Sequence, residues 1–161
     1  IVVSVTAMLS KIHFLILEPK ERAFRFRQGE NYREVFDIIR KKWVAWTMEE
    51  MVRQHIIHFL VEDWKISKSK FQIEGSIINA EKKFRFDIMI TSHNNPCLLL
   101  ECKSPEISID SKAIDQLLNY QSLLKSRFIG WSNGQQTAIY DTQTISWISS
   151  WQILVEEITK K

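Results

Sequence analysis

Residues 84–103 read FRFDIMI, TSHNNP and CLLLECK, and this stretch decides the fold. The first segment, Phe84 to Ile90, alternates like a strand. Phe84, Phe86, Ile88 and Ile90 are expected on one face, and Arg85, Asp87 and Met89 on the other. Thr91 to Pro96 is a polar turn. The last segment, Cys97 to Lys103, has Leu98-Leu99-Leu100 at its centre, apolar on both faces as in a central strand covered from both sides. Each strand carries charge where an ordinary strand would not. Period two puts Glu101 and Lys103 on one face, and Asp87 lies one strand earlier. Paired, the two strands would bring two carboxylates and an ammonium to one end of a sheet.

Around this pair the chain reads as alternating strands and helices. Thr47 with Glu50 three residues on is a capping box, opening a helix expected to run to about Asp63 with Val52, Ile56, Phe59 and Leu60 as its core stripe. The box gives Glu50 a duty at the cap and leaves Glu49 free to face the site. His55 and His58 lack a third partner and are not read as metal ligands. A strand spans Phe71 to Asn79, with Gly75 marking a bulge, and a turn over Asn79 to Lys83 returns the chain to Phe84. Asp110 caps a second helix, in which Ile114, Leu117, Leu118 and Leu124 form the stripe and Gln116 and Tyr120 are an i, i+4 pair. Arg127 to Ser132 and Gln136 to Tyr140 form a hairpin across Asn133-Gly134, and the tail carrying Trp147 and Trp151 packs as a strand or short helix.

Residues 1–45 read as extended and mostly β. The apolar start is broken by Lys11 and His13 and is strand-like rather than a signal peptide or membrane span. The chain does not begin with Met, and Met8 is a candidate start, which would leave residues 1–7 without a role. Arg40-Lys41-Lys42 is expected to be a solvated turn, with phosphate contact as the sharper alternative. The expected organisation is one domain over residues 1–161: a β-rich addition (1–45), a core (46–140) and a tail (141–161).

The 161 residues are 45% apolar and 25% charged, the composition of a soluble globular protein. A net charge of +3 is compatible with a polyanion partner without demonstrating one. The two cysteines, Cys97 and Cys102, are expected on opposite strand faces and unpaired, which fits a reducing cytoplasm.

Charges at the end of a buried strand are costly without partners. Two chemistries answer that cost. One is a salt bridge from Lys103 to Glu101 or Asp87. The other is a divalent cation: hard carboxylate oxygens suit Mg²⁺, which one or two carboxylates and several waters commonly hold. From spacing alone the two stand level.

The ordered set of motifs resembles the PD-(D/E)XK nuclease superfamily: a helix acid, Asp87, Glu101-x-Lys103 and Gln116-xxx-Tyr120. More narrowly, FDIIRKKWVAWT, EEMVRQHIIHFL, IEGSI, FRFDIMI, LLLECKSPE, the Q-LLNY helix and WSNG resemble the N-terminal nuclease domain of type I restriction enzyme R subunits. The resemblance covers roughly Phe36 to Tyr140. It implies an α/β, restriction-endonuclease-like fold, with a mixed central β-sheet flanked by helices, and a Mg²⁺- or Mn²⁺-dependent deoxyribonuclease. A non-catalytic DNA-binding or assembly module on the same fold is the alternative. By resemblance Asp87, Glu101 and the Cys102 carbonyl are metal ligands, and Lys103 is the catalytic lysine. Glu49 matches the helix acid, and Gln116 and Tyr120 position the substrate. Arg53 and Asn133 also match, with folding roles equally open. Implied partners are DNA and a helicase, motor or methyltransferase subunit, with a homodimer admitted and no membrane. Two departures stand out: Phe86 replaces the proline before Asp87, and no G-x-x-x-x-G-K-[ST] motor signature occurs.

Overall fold

A computed structural model of the chain describes residues 4–161. Among these residues, two sheets and four α-helices form a mixed α/β architecture. The larger sheet has six strands in the order β4 (Phe71–Asn79), β5 (Lys82–Ser92), β6 (Asn95–Cys102), β7 (Phe128–Ser132), β8 (Thr137–Asp141) and β9 (Ser146–Trp147). Among the described residues only β6 and β7 run parallel, and α3 (Ser111–Leu124) makes the crossover between them. The mixed sheet flanked by helices is the architecture expected from the sequence.

The sheet is covered on both faces, as the apolar LLL run requires. Leu98 and Leu100 pack into one cluster with Val52, Ile56 and Leu60 of the helical segment α2 (Met48–His58) and its continuation, and with Leu154 and Ile158 of α4 (Trp151–Thr159). Leu99 and Ile129 point the other way, onto Ile114 and Leu117 of α3. The tail thus supplies both a short strand and a helix. The expected first helix does reach Asp63, but its last five residues, Phe59–Asp63, widen into a π turn.

Local chemistry explains the turns. Ala80-Glu81 and His93-Asn94 all have positive φ, so both hairpins close through two left-handed residues, which matches the right-handed strand twist. Gly134 holds φ +88° in the β7–β8 turn. Gly75 marks a close approach rather than a bulge. It lies opposite Phe86, whose ring occupies the space where a Cβ would stand, at 2.1 Å. The left-handed residue in β4 is instead Glu74, with φ +50°.

The strict alternation expected for β5 breaks at Asp87. Phe84 and Phe86 join the cluster under α3, whereas Ile88 and Ile90 join the one under α2. The pairs Ile73–Ile88 and Gly75–Phe86 bracket Glu74 and Asp87, so the break falls across from the left-handed residue of β4. The two cysteines also depart from expectation. A register shift between Ile90–Leu98 and Thr91–Pro96 leaves Cys97 as a bulged residue. Cys97 and Cys102 therefore face the same core cluster, both buried and both free thiols.

The N-terminal 45 residues are less β-rich than expected; residues 1–3 of that region lie outside the described residues. Val5–Ser10 form a helix, α1, not a strand: the Ser4 hydroxyl accepts the Ala7 N–H at 3.1 Å, and Val5, Met8 and Leu9 belong to the cluster under α3. Capping and packing override the β preference of the β-branched Val5 and Thr6. Residues 11–25 are largely irregular and strapped to the body. Leu15 bridges Thr137, and the Trp147 and Trp151 indoles donate to the Met8 and Ile16 carbonyls at 2.9 Å. The second sheet, β1 (Phe26–Gln28), β2 (Arg33–Asp37) and β3 (Lys42–Ala45), is antiparallel. Phe26 meets Phe24 and Trp46 edge-on there, Phe24 and Trp46 are tilted against each other, and Phe24 also lies against His55 and His58 of α2. Among the described residues no helix is long and apolar enough to cross a membrane.

Candidate active site

The site forms where β5 leaves β6. Their ladder ends at Ile88–Leu100, and one residue farther the Asp87 side chain replaces the missing backbone partner. Its Oδ2 accepts the Cys102 N–H at 2.6 Å, and its Oδ1 accepts from Arg53 Nη2 of α2 at 2.8 Å. Glu101, on the β6 face toward α3, is only 9% exposed and accepts from Lys103 Nζ at 3.0 Å. The Gln116 amide of α3 lies against the Glu101 carboxyl and donates from Nε2 to the Tyr120 hydroxyl at 2.8 Å. Glu49, half exposed at the start of α2, lies 3.5 Å from Arg53. All seven residues singled out in the sequence therefore gather around one strand end.

The electrostatics divide the acids. Burial raises the Glu101 pKa, and the neighbouring Asp87 charge raises it further. Glu49 is raised by burial and then by Asp87. Burial pulls the Lys103 ammonium down, but its bond to Glu101 and the charges of Glu101, Glu49 and Asp87 outweigh that, so its pKa is raised and it stays protonated. The Tyr120 hydroxyl is raised by burial, with Glu101 and Asp87 adding to it. The Cys102 thiol points into the core and is pushed far up by burial. It is no nucleophile; Cys102 meets the site through its backbone N–H.

Among the described residues no three His, Cys, Asp or Glu side chains are gathered to hold a metal ion. The donor set nonetheless fits a hard divalent cation. Mg²⁺ commonly takes one or two carboxylates and keeps its waters, and here two carboxylates repel each other at one strand end. Asp87, Glu101 and the Cys102 carbonyl are the groups that would hold it.

Several residues escaped the sequence reading. Glu50 does not return a capping bond. The Thr47 hydroxyl accepts the Glu50 N–H at 3.0 Å, but the Glu50 carboxylate turns inward to Arg40 (2.7 Å), Gln54 (2.9 Å) and Arg53. Arg40 is not solvated: its side chain is 10% exposed and also meets Asp37 and Glu74, at 2.8 and 2.6 Å. Arg53 closes the network by touching Glu50, Glu74 and Asp87. Burial lowers the Arg53 pKa, but Glu50 and Asp87 outweigh it and raise it. The pattern Glu49-Glu50-x-x-Arg53-Gln54 was a visible hint, since i, i+3 and i, i+4 pairs share a helix face. For Arg40 the one local partner was Asp37, three residues earlier; Glu50 and Glu74 lie farther along the chain. Asn133 has a folding role: its Oδ1 accepts the Gln135 and Gln136 N–H groups, and its Nδ2 donates to the Ile107 carbonyl at 2.8 Å. His55 Nδ1 donates to the Met51 carbonyl and His58 Nδ1 lies 2.6 Å from Glu62, so neither faces the site.

A groove of about 430 Å³ opens over Asp87, walled by Glu49, Arg53 and Glu74 on one side and Lys83 and Arg85 on the other.

No curated protein matches the chain. Among solved structures, it is similar to a chain described as a fragment of an HsdR subunit of a type I restriction enzyme from Vibrio vulnificus YJ016. The identity is 21%, the TM-score is 0.40, and 56% of this chain and 18% of that one are covered. The present chain thus spans less than a fifth of that relative. The family described as type I restriction enzyme R protein N terminus (HSDR_N) matches residues 48–150, from the start of α2 to the threshold of α4. That range holds every site residue and well over half of the chain, which therefore belongs to the type I restriction enzyme R protein N-terminal family.

Proposed function

We propose that the chain is a metal-dependent deoxyribonuclease module of the PD-(D/E)XK kind, using Mg²⁺ or Mn²⁺. The observation that carries this reading is the acid pair at the end of β6, where Glu101 is buried beside Asp87 and its pKa rises. Acids left in mutual repulsion at a groove reduce stability unless a cation joins them.

Asp87 and Glu101, with the Cys102 carbonyl, are the proposed ligands. The bound ion would supply Lewis acidity toward a phosphoryl oxygen and a lowered pKa for a bound water. The protein's own groups do the rest. Lys103, protonated and held 3.0 Å from Glu101, offers positive charge where the transition state gains negative charge. Gln116, between Glu101 and Tyr120, fixes the α3 side of the site. Arg53 holds Asp87 from the α2 side. Glu49, with a raised pKa at the groove edge, would exchange a proton.

One observation favours a second reading, a DNA-binding or assembly module without catalysis. Both Asp87 oxygens already have protein partners, and Glu101 has Lys103. The cluster is thus a satisfied salt bridge as it stands.

DNA cleavage with Mg²⁺ or Mn²⁺ separates the two. The nuclease reading expects cleavage by the wild type and loss of at least about a hundredfold in Asp87→Ala and in Lys103→Ala, the scale of removing one transition-state partner. Activity that survives both changes contradicts the mechanism. A wild type that binds DNA but never cuts it favours the second reading. The partners we propose are DNA and the other restriction-modification subunits, a motor or a methyltransferase.

A further inference from the structure

A second depression adjoins the site. It lies between the β4–β5 hairpin and α3 and encloses about 630 Å³. Lys83 and Arg85 reach it from β5, and Lys112 from the first turn of α3, against a single acid, Asp115. All three cations are exposed, and none is in an ion pair among the described residues. Lys83 and Arg85 also wall the groove over Asp87, so the two depressions share them. A continuous track therefore runs from a basic end, along β5, to the acidic end where Asp87 lies. Two residues along a strand separate Lys83 from Arg85 by about 7 Å, a spacing that neighbouring phosphates on an extended strand can meet. Unpaired cations on a concave wall attract a polyanion and release its counterions.

We propose that this groove takes the sugar-phosphate backbone of a DNA strand, with Lys83, Arg85 and Lys112 on its phosphates, and leads the strand onto Asp87 and Glu101. This rests on the nuclease reading above and adds the direction of approach: the strand enters between the hairpin and α3, not across the β1–β3 sheet. The cations are binding residues, not catalytic ones.

The test is fluorescence anisotropy of labelled single-stranded and duplex DNA over a salt series in EDTA, where cleavage cannot interfere. The paired change Lys83→Glu with Arg85→Glu is compared with Lys160→Glu with Lys161→Glu, which alters net charge equally beyond α4. A neutral pair, Lys83→Gln with Arg85→Gln, guards against misfolding, and circular dichroism melts confirm that each variant is folded. The expected result is a drop in affinity of about tenfold or more for the groove pairs. Their salt slope should shrink by about 0.7 to 0.9 for each phosphate that is no longer neutralised, while the control pair stays near wild type. Equal losses in groove and control pairs overturn the inference and leave the nuclease reading standing. A wild type that binds neither DNA form overturns both. Selective loss in the groove pairs, with a wild type that never cuts in Mg²⁺, supports the groove and defeats the hydrolytic reading.

Discussion

Two buried acids, Asp37 and Glu101, show how one protein uses charge in opposite ways. Asp37 is fully buried at the end of β2, yet its pKa falls. Burial raises it, but the Arg40 N–H, the Arg40 guanidinium and the Gln54 amide more than compensate. Glu101 is nearly as buried, and its pKa rises: burial raises it most, the Asp87 charge adds to that, and Lys103 and Gln116 only partly offset them. In the network from Asp37 through Arg40, Glu50 and Arg53, each arginine bridges several acids. At the end of β6, Asp87 faces a groove and raises the pKa of both Glu101 and Glu49 beyond what burial does. The first arrangement anchors the small sheet to α2 and the large sheet. The second keeps negative charge where a cation can answer it. Asp87 belongs to both, held by Arg53 and repelling Glu101.

The largest expected effect comes from breaking the arginine network. Arg53→Ala leaves Glu50 without one of its cations and Asp87 without its α2 partner. Removing one partner of a buried pair costs about 3–5 kcal/mol, so urea unfolding should show a loss on that scale. A change below about 1 kcal/mol would mean that the network is not holding the two sheets together. Second in size is the opposite change at the end of β6. Without metal at neutral pH, Glu101→Gln should raise the Tm, since it removes the charge that burial and Asp87 oppose. A fall in Tm would show that the Lys103 bond outweighs the repulsion.

The pH dependence sharpens the contrast because the two signs are opposed. The lowered pKa of Asp37 contributes stability above its unfolded value, about 4, and that stability is lost as pH falls through the folded value. Asp37→Asn should therefore be destabilising at neutral pH, with the gap to wild type closing under acid. The raised pKa of Glu101 works the other way: its contribution is intact below about 4 and is lost as pH rises through the folded value. The Glu101→Gln gain should thus grow from acid to neutral pH. Melting curves across that range check both, and parallel curves would refute the assignment. The smallest effect concerns the cysteines. Burial pushes Cys97 up to about 11 and Cys102 well above the usual thiol value. Both should resist a thiol reagent in the native state and react only as fast as the core opens.

What could be read from the sequence was local or periodic. The Thr47 and Asp110 side chains accept the cap N–H groups as their spacing implied, although the Glu50 carboxylate does not complete the expected box. The LLL run is covered on both faces, and Asp87, Glu101 and Lys103 meet at one strand end. What escaped was set by partners far along the chain. Arg40 lies among basic residues and looked solvated, but its partners are Glu50 and Glu74. The α1 segment looked like a strand because no local signal announces its packing against α3. The Cys97 bulge and the break at Asp87 each shift a period-two pattern by one residue, which alternation alone cannot reveal. The break places a carboxylate where β5 stops pairing with β6, so the failure of the simple pattern coincides with the site.

The most direct test of the central claim is calorimetric titration of the DNA-free protein with Mg²⁺ and Mn²⁺. The comparison is wild type against Asp87→Asn, which keeps an oxygen to accept the Cys102 N–H, and against Glu101→Gln. The wild type should bind the cation saturably, and both variants should lose that binding. No binding by the wild type, or binding that both variants retain, would contradict it.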